Sequence, residues 1–315
     1  MSAQPEKGIF LLSLDTELAW GTRGNKAYVK DYEKTREVIL RLLRLLEKYE
    51  IRATWAVVGH LFLDQCSVKD GMKHPEIEDV PSHWFDIDPC TDLDHDPMWY
   101  GSDIIKQIQN CRVPQEIGSH TFSHMVADEC SGRCFVSELR AARRLAEKEG
   151  IELKSLVFPK NHVAFTSELA KEGFTSFRGS DENWYARFSG AWKKIAHMID
   201  NYFVIPSPSI FPRKEKRVWN IPGSYFYVHA RGWAKWLPVS FRVRKTLAGI
   251  DRAVKERRMF HLWFHPFNIS SNPDGLLEGL ERIFSRIALL RASGQLENWT
   301  MQETAEQMER LSTHV

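Results

Sequence analysis

Gly8-Ile-Phe-Leu-Leu-Ser-Leu-Asp15-Thr16-Glu17 is an apolar run that stops abruptly at polar residues. An unbroken apolar run of this length, without alternation, predicts a strand buried on both faces. A helix is expected next, over 33–50, with Val38, Leu42, Leu45, Leu46 and Tyr49 on one stripe. Arg52-Ala-Thr-Trp-Ala-Val-Val-Gly59 predicts a second strand. The alternation continues. Strands are expected at 116–119, 156–158, 174–177 and 260–264, and helices at 137–149, 167–172, 245–258, 276–292 and 300–311. Strand followed by helix, repeated, implies a mostly parallel sheet with helices outside, an α/β fold. About six or seven such units approach a (β/α) barrel, whose sites lie at the C-terminal ends of the strands. Two stretches break the rhythm: residues 63–101, rich in Asp, His, Pro and Trp, and residues 184–244, rich in aromatics, Pro and Arg. Neither shows a core of its own. The expectation is one catalytic domain over 1–315 with insertions at about 63–101 and 184–244 covering one face.

Composition narrows the function classes. The chain has 315 residues, 43 basic and 41 acidic, for a formal charge of +2. That balance argues against a general nucleic-acid binder, which needs a basic excess to displace counterions. At 43% hydrophobic residues the chain can bury a large core, which excludes a disordered protein. No apolar run approaches the roughly 20 residues needed to span a bilayer. The apolar stretch near the N-terminus is too short for a signal peptide and lacks a small-residue cleavage pattern. The five cysteines (Cys66, Cys90, Cys111, Cys130 and Cys134) are therefore expected as reduced thiols in a cytoplasmic protein.

The chemistry-bearing residues fall where strands end. On a strand, residues two apart share a side, so Asp15 and Glu17 can point together while Thr16 points away. Two carboxylates there can hold a metal, activate water, or do one each; alone, they are more often a helix cap or loop carboxylates. Gly118-Ser-His-Thr-Phe-Ser-His124 places His120 and His124 four apart. If a helical turn follows the strand, both imidazoles face one point, as in many metal pairs. A competing reading closes a structural zinc site from this pair with Cys130 and Cys134. His261-Leu-Trp-Phe-His-Pro-Phe-Asn268 ends a late strand, and Pro266 stops it after His265. His265 there is a candidate general acid, against the plainer reading of a packed core histidine.

Taken together and in order, these stretches resemble the polysaccharide deacetylases of the nodulation-factor type, carbohydrate esterase family four. Ser13-Leu-Asp-Thr-Glu17 is similar to the family's Thr-Phe-Asp-Asp-Gly, and Thr54-Trp-Ala-Val-Val-Gly59 to its Thr-Phe-Phe-Val-x-Gly. His120-Thr-Phe-Ser-His124 matches its His-Ser/Thr-x-x-His, and Leu262-Trp-Phe-His265 resembles its Leu-x-His. Phe158-Pro-Lys-Asn161 only echoes its Arg-x-Pro-Tyr. The likeness runs over roughly residues 8–290.

The resemblance implies a deformed (β/α) barrel of seven to eight units. It implies one divalent ion, zinc by expectation, held by Glu17, His120 and His124. An ungapped match puts Thr16 at the family's metal-binding Asp, while relatives with Asp-x-Asp put Glu17 there. The implied reaction removes an N-acetyl group from a sugar, with Asp15 as base and His265 as acid. The family's third-motif Arg is absent, and Lys160 or Arg178 is the expected replacement charge toward substrate. Without an export signal, the expected substrate is a lipid- or nucleotide-linked glycan precursor of bacterial surface-polysaccharide synthesis. The alternatives are a hydrolase of another C–N amide bond, such as a cyclic ureide, and an inactive glycan-binding or assembly protein on the same fold.

Three further features carry weaker expectations. Asp86–Asp96 crowds five Asp into eleven residues but lacks the Gly and late Glu of a calcium loop. As part of an insertion it is a candidate roof over the site, with Asp88, Asp92 and Trp99 reaching sugar hydroxyls. His60, after the second strand, is expected to be a packed strand-end residue. Residues 231–258 carry nine basic side chains against Asp251 and Glu256. They are read as a solvated helix face, or else as a peripheral contact for anionic headgroups or a diphosphate.

Overall fold

In the computed structural model, which describes residues 5–181, 190 and 207–313, strand β1 (Gly8–Thr16) is buried at every position. A strand covered on both faces needs partners along both edges. β2 (Thr54–Val57) pairs with its second half on one edge, and β9 (Met259–Phe264) lies along the other, both parallel. β10 (Leu296–Trp299) takes the stretch of β1 before β2 begins, pairing Gly8–Leu11.

From β2 the sheet continues through β3 (Glu116–Ser119), β4 (Ser155–Val157), β5 (Ser176–Arg178), β7 (Val218–Asn220) and β6 (Arg213–Glu215). Beyond β9 it ends at β8 (Tyr225–Phe226). Every pairing is parallel except β6 with β7. The terminal strands β6 and β8 are not paired with each other among the described residues. The sheet therefore curls without closing: an α/β fold with the deformed barrel that the motif order implies.

The helices form the outer layer. α1 (Val29–Lys48) buries Tyr32, Val38, Ile39, Leu42 and Leu46 at helical spacing. It starts earlier than the apolar stripe suggests, because a preceding turn is capped by the Asn25 side chain accepting from Ala27 N at 3.0 Å. α2 (Ser102–Gln109) is a helix the apolar pattern did not announce. α3 (Gly132–Lys148) begins at the Ser131 side-chain cap, five residues before the predicted start. α4 (Thr166–Lys171), α5 (Val239–Glu256), the single-turn α6 (Pro266–Ile269), α7 (Pro273–Ala292) and α8 (Met301–Thr313) complete the layer. No helix among the described residues is long and apolar enough to cross a membrane.

The two irregular stretches differ. Residues 63–101 contain little regular structure beyond the turn Trp84–Ile87, yet bury Ile77, Trp84, Phe85, Trp99 and Tyr100 in the main core. Of 184–244, residues 184–189 and 191–206 lie outside the described residues. The remainder is not merely a cover: it supplies β6, β7, β8 and the start of α5. These strands are two or three residues long. That is too short for an alternation to register, which is why they read as loop. β10 was missed for a related reason. Leu-Glu-Asn-Trp carries no apolar run, and parallel pairing to β1 makes it a strand.

Candidate active site

Glu17 is set by the end of β1. The strand stops at Thr16, whose hydroxyl turns back to donate to Leu14 O at 3.3 Å. A 3-10 turn, Leu18–Trp20, follows and carries Gly21 under the Glu17 carboxylate. A Cβ at position 21 would lie 1.8 Å from Glu17 Oε2, so only glycine allows this seat. Asp15 and Glu17 line one cavity and both approach His265 Nε2, at 3.6 and 3.0 Å, while the Thr16 hydroxyl is spent on Leu14 O.

The histidine pair is brought together differently from the sequence expectation. No helical turn follows β3. Residues 120–124 form a loop in which Thr121 and His124 take left-handed conformations, at φ 60° and 59°. Side-chain and backbone bonds hold this unusual path. The Glu138 carboxylate, from α3, accepts from Phe122 N at 2.8 Å, Ser123 N at 2.7 Å and Ser123 Oγ at 2.6 Å. Gly59 N and His60 N donate to the carbonyls of Thr121 and Phe122. His120 Nδ1 donates to Val157 O at 2.8 Å, which leaves the Nε2 lone pair facing inward. Burial, with the neighbouring His124, pushes His120 down to about 4, so it is a neutral ligand-ready imidazole.

Glu138 was not singled out by any motif, yet it shapes the loop. Burial pushes its carboxyl up to about 7, against the pull of Ser123 and the loop N–H groups. A folded value above the ordinary 4.5 means its contribution is complete below about pH 4.5 and is lost as pH rises to about 7. Glu138→Gln, which keeps an acceptor, is expected to flatten stability over that window. Glu138→Ala is expected to cost about 1–3 kcal/mol for each buried donor stranded. Urea unfolding at stepped pH measures both; an unchanged pH slope in Glu138→Gln would remove Glu138 as its source.

Glu17, His120 and His124 bring one donor atom each within 4.8 Å of one another. His124 Nε2 lies 2.7 Å and His120 Nε2 3.8 Å from Glu17 Oε2. That oxygen is buried and makes no aligned hydrogen bond, despite the short approach of His124. Three inward donors around an orphaned carboxylate oxygen is the donor set of a three-ligand catalytic zinc site. The residues present thus fit one divalent ion.

His265 Nε2 sits 3.0 Å from Glu17 Oε1 and 3.6 Å from Asp15 Oδ2. Burial pulls its pKa down, but the charge of Glu17 outweighs this and holds it above its ordinary value. Burial likewise pushes Glu17 upward, and the charges of His265 and His124 overcome it, leaving the carboxyl well below its usual range. A cavity of ≈240 Å³ opens on these groups, lined by Asp15, Glu17, His120, His124, Lys160, Asn161, Trp263 and His265 among others. A larger cavity, ≈600 Å³, lies around Lys48, Arg52, Arg112 and Arg291 and shares no residue with this cluster.

Arg178 plays a part different from the substrate contact expected of it. It is 1% exposed and donates from both Nη atoms to Asp15, at 2.6 Å each. Its Nη1 also donates to Ser13 Oγ at 3.0 Å, and its Cζ stacks 4.1 Å from the Trp263 ring. Ser13 Oγ lies 2.8 Å from His261 Nε2, while His261 Nδ1 donates to Pro222 O at 3.0 Å. With Nδ1 carrying the proton, Ser13 donates to Nε2, and a buried chain runs from Asp15 through Arg178 and Ser13 to His261 on the adjacent strand β9. Burial raises Asp15, but Arg178 and then His265 outweigh it and hold the carboxyl below its ordinary value. Of this inward face only Asp15 and Glu17 were read from a two-residue repeat; the matching repeat His261-Trp263-His265 was available in the sequence, and Arg178 had no such signal.

The remaining sequence candidates scatter. Lys160 lines the cavity, with its Nζ 2.9 Å from Glu129 Oε1. Trp99 and Asp88 do not line it. Trp99 is 7% exposed and packs edge-on against Trp20, and Asp88 is 1% exposed and bonded to His74. Neither is placed to meet a sugar in this cavity. Trp84 and Trp219 are also buried, while Trp184 and Trp192 lie outside the described residues. Cys130 and Cys134 do not join the histidine pair: neither belongs to a donor group among the described residues. The basic stretch 231–258 is not wholly a solvated face, since Arg242 and Lys245 are buried. Arg242 spends its guanidinium on the carbonyls of Val228, His229, Ala234 and Leu237.

No family model and no curated protein matches this sequence. Solved structures do. A Mycobacterium smegmatis structure assigned to the polysaccharide deacetylases is similar with a TM-score of 0.66 and 12% identity, over 99% of this chain and 96% of that one. One so assigned from Pseudomonas aeruginosa PAO1 matches with a TM-score of 0.61, 12% identity, and coverage of 96% and 91%. The PuuE allantoinase matches with 0.60, 12%, and the same coverage. At 12% identity these likenesses show the fold: the chain has the fold of the polysaccharide deacetylases.

Proposed function

We propose that the protein is a metal-dependent hydrolase that removes an N-acetyl group from a sugar. The observation that supports this reading is the convergence of Glu17, His120 and His124 beside Asp15 and His265 in one cavity. When bound by Glu17, His120 and His124, a divalent ion supplies Lewis-acid activation of the amide carbonyl and of the attacking water. Asp15, kept ionised by Arg178, takes the proton from the water. His265 Nε2 returns a proton to the nitrogen that leaves, since an amine departs poorly unless protonated. Lys160 at the cavity wall is the proposed sugar contact, through hydrogen bonds from its Nζ.

The test is acetate release from N-acetylated oligosaccharides by zinc- or cobalt-loaded protein, with a cyclic ureide run alongside. Acetate release is the expected result, lost in Asp15→Asn and strongly reduced in His265→Ala. Ring opening of the ureide without acetate release would replace the sugar by a ureide substrate on the same residues. Oligosaccharide binding with no turnover by the loaded protein would leave a glycan-binding protein and overturn the reading.

A further inference from the structure

Apart from the site above, one other group of donors stands together in the described part of the fold. His60, Cys66, His74 and Asp88 each present an atom within 4.8 Å of the others. None of the four was expected to meet the rest: they are spread over 29 residues with no zinc-finger spacing. His74 Nε2 lies 2.8 Å from Asp88 Oδ2, and His60 Nε2 lies 3.7 Å from the same oxygen. Cys66 Sγ is 3.6 Å from His74 Nε2 and 3.8 Å from Asp88 Oδ2. For bonds of about 2.0–2.1 Å to N or O and 2.3 Å to S, tetrahedral donors stand about 3.3–3.6 Å apart.

Two details separate this group from an ordinary buried ion pair. His60 Nδ1 lies 3.1 Å from Trp99 O, and a carbonyl can only accept, so Nδ1 carries the proton. His60 Nε2 is then a lone pair aimed into the cluster, fully buried and without any hydrogen-bond partner. Stranding such an atom is costly unless something electrophilic sits there. The backbone carbonyl behind Nδ1 is also the usual outer contact of a metal-bound histidine. Cys66, in turn, is partly buried.

We propose that His60, Cys66, His74 and Asp88 form a second, structural zinc site that fastens residues 63–101 to the barrel. Binding expels the Cys66 thiol proton and any proton shared by His74 and Asp88, leaving thiolate, two neutral imidazoles and one carboxylate. The position gives the site a purpose. The Phe122 ring lies 5.8 Å from His60 and 5.0 Å from His74, centroid to centroid. Trp84, four residues before Asp88, donates its indole N–H to Ser123 Oγ at 2.8 Å. The cluster therefore backs the loop that carries His120 and His124, and holds Asp88 away from the role of sugar contact.

Cobalt(II) distinguishes the two sites, because only this one contains sulfur. Full-length protein, stripped with a chelator and titrated with cobalt, is expected to take up two ions and show a near-ultraviolet thiolate-to-cobalt charge-transfer band. Cys66→Ser is expected to lose the band and one ion. Cys66→Asp, which keeps a ligand and guards against a folding failure, is expected to lose the band but retain both ions. Glu17→Ala should lose one ion and keep the band, so failure of the hydrolase site is read separately. Absence of the band in saturated wild type overturns the proposal. So does its persistence in Cys66→Asp, which would place the thiolate on another cysteine.

Discussion

Glu17→Ala is expected to lose the ion held with His120 and His124 and to lower turnover by about a thousandfold or more. The estimate follows from the several kcal/mol that Lewis-acid stabilisation supplies, at about 1.36 kcal/mol per decade of rate. Removing Glu17 takes away the only anionic donor of the three, leaving two imidazoles. His120 and His124 would then hold a dication with no charge compensation and one fewer bond. Thr16→Ala is the matched control, because its hydroxyl bonds Leu14 O and faces away from the site. It should leave metal content and turnover within a few-fold of wild type. Metal content by mass spectrometry and acetate release by enzymatic assay read both quantities. Retention of the ion in Glu17→Ala, with loss in His124→Ala, would put Asp15 on the metal and remove it as the base.

Arg178→Met is expected to be the most destabilising single change near the site, by about 3–5 kcal/mol at neutral pH. Both partners of the pair are almost inaccessible, at 1% and 4% side-chain exposure, so solvent does little to screen the loss. The variant leaves the Asp15 carboxylate buried with no guanidinium, and releases the bonds to Ser13 and Asn161 as well. The deficit should depend on pH in a definite direction. In wild type Asp15 is held below its ordinary value, so its contribution is present above about pH 3.9 and lost as pH falls through the lower folded value. In the variant the largest charge opposing burial is gone and only His265 and His120 still act against it, so Asp15 rises above its wild-type value and that protein loses less stability on acidification. The two unfolding curves should therefore converge toward low pH. Adding Asp15→Asn to Arg178→Met should recover part of the loss, because no buried charge remains. A deficit that is constant from pH 4 to 8 would assign the effect to packing against Trp263 instead. Arg178→Lys keeps a charge but not the two-pronged contact, and should fall between the two.

Part of the site was legible because it obeys local rules. Asp15 and Glu17 share a side through the strand's two-residue repeat, and the same repeat places His261, Trp263 and His265 on one inward face. His120 and His124 do come together as their spacing suggested, though not through the helical turn expected. Left-handed residues and the Glu138 carboxylate bring the imidazoles together, and neither leaves a spacing pattern. The bidentate pair of Arg178 with Asp15 joins residues 163 positions apart, and Glu138 reaches back 15 and 16. Trp99 and Asp88 were read as a roof over the site because their segment looked like a polar insertion. Its aromatic residues instead bury into the core and carry Asp88 inside with them.

The sequence alone determined what depends on near neighbours along the chain: a parallel α/β sheet, buried central strands, strand-end carboxylates and histidines, and their order. Burial of β1 on both faces demanded the apolar run that made it readable. The tertiary structure decided which of these groups meet. It turned β10 and the short strands of 207–226 into sheet, set Glu17 beside His120 and His124, and paired Arg178 with Asp15. It also gathered His60, Cys66, His74 and Asp88 around one point. These outcomes rest on contacts whose partners are distant in sequence, and on desolvation, which acts only once the chain has closed around the group.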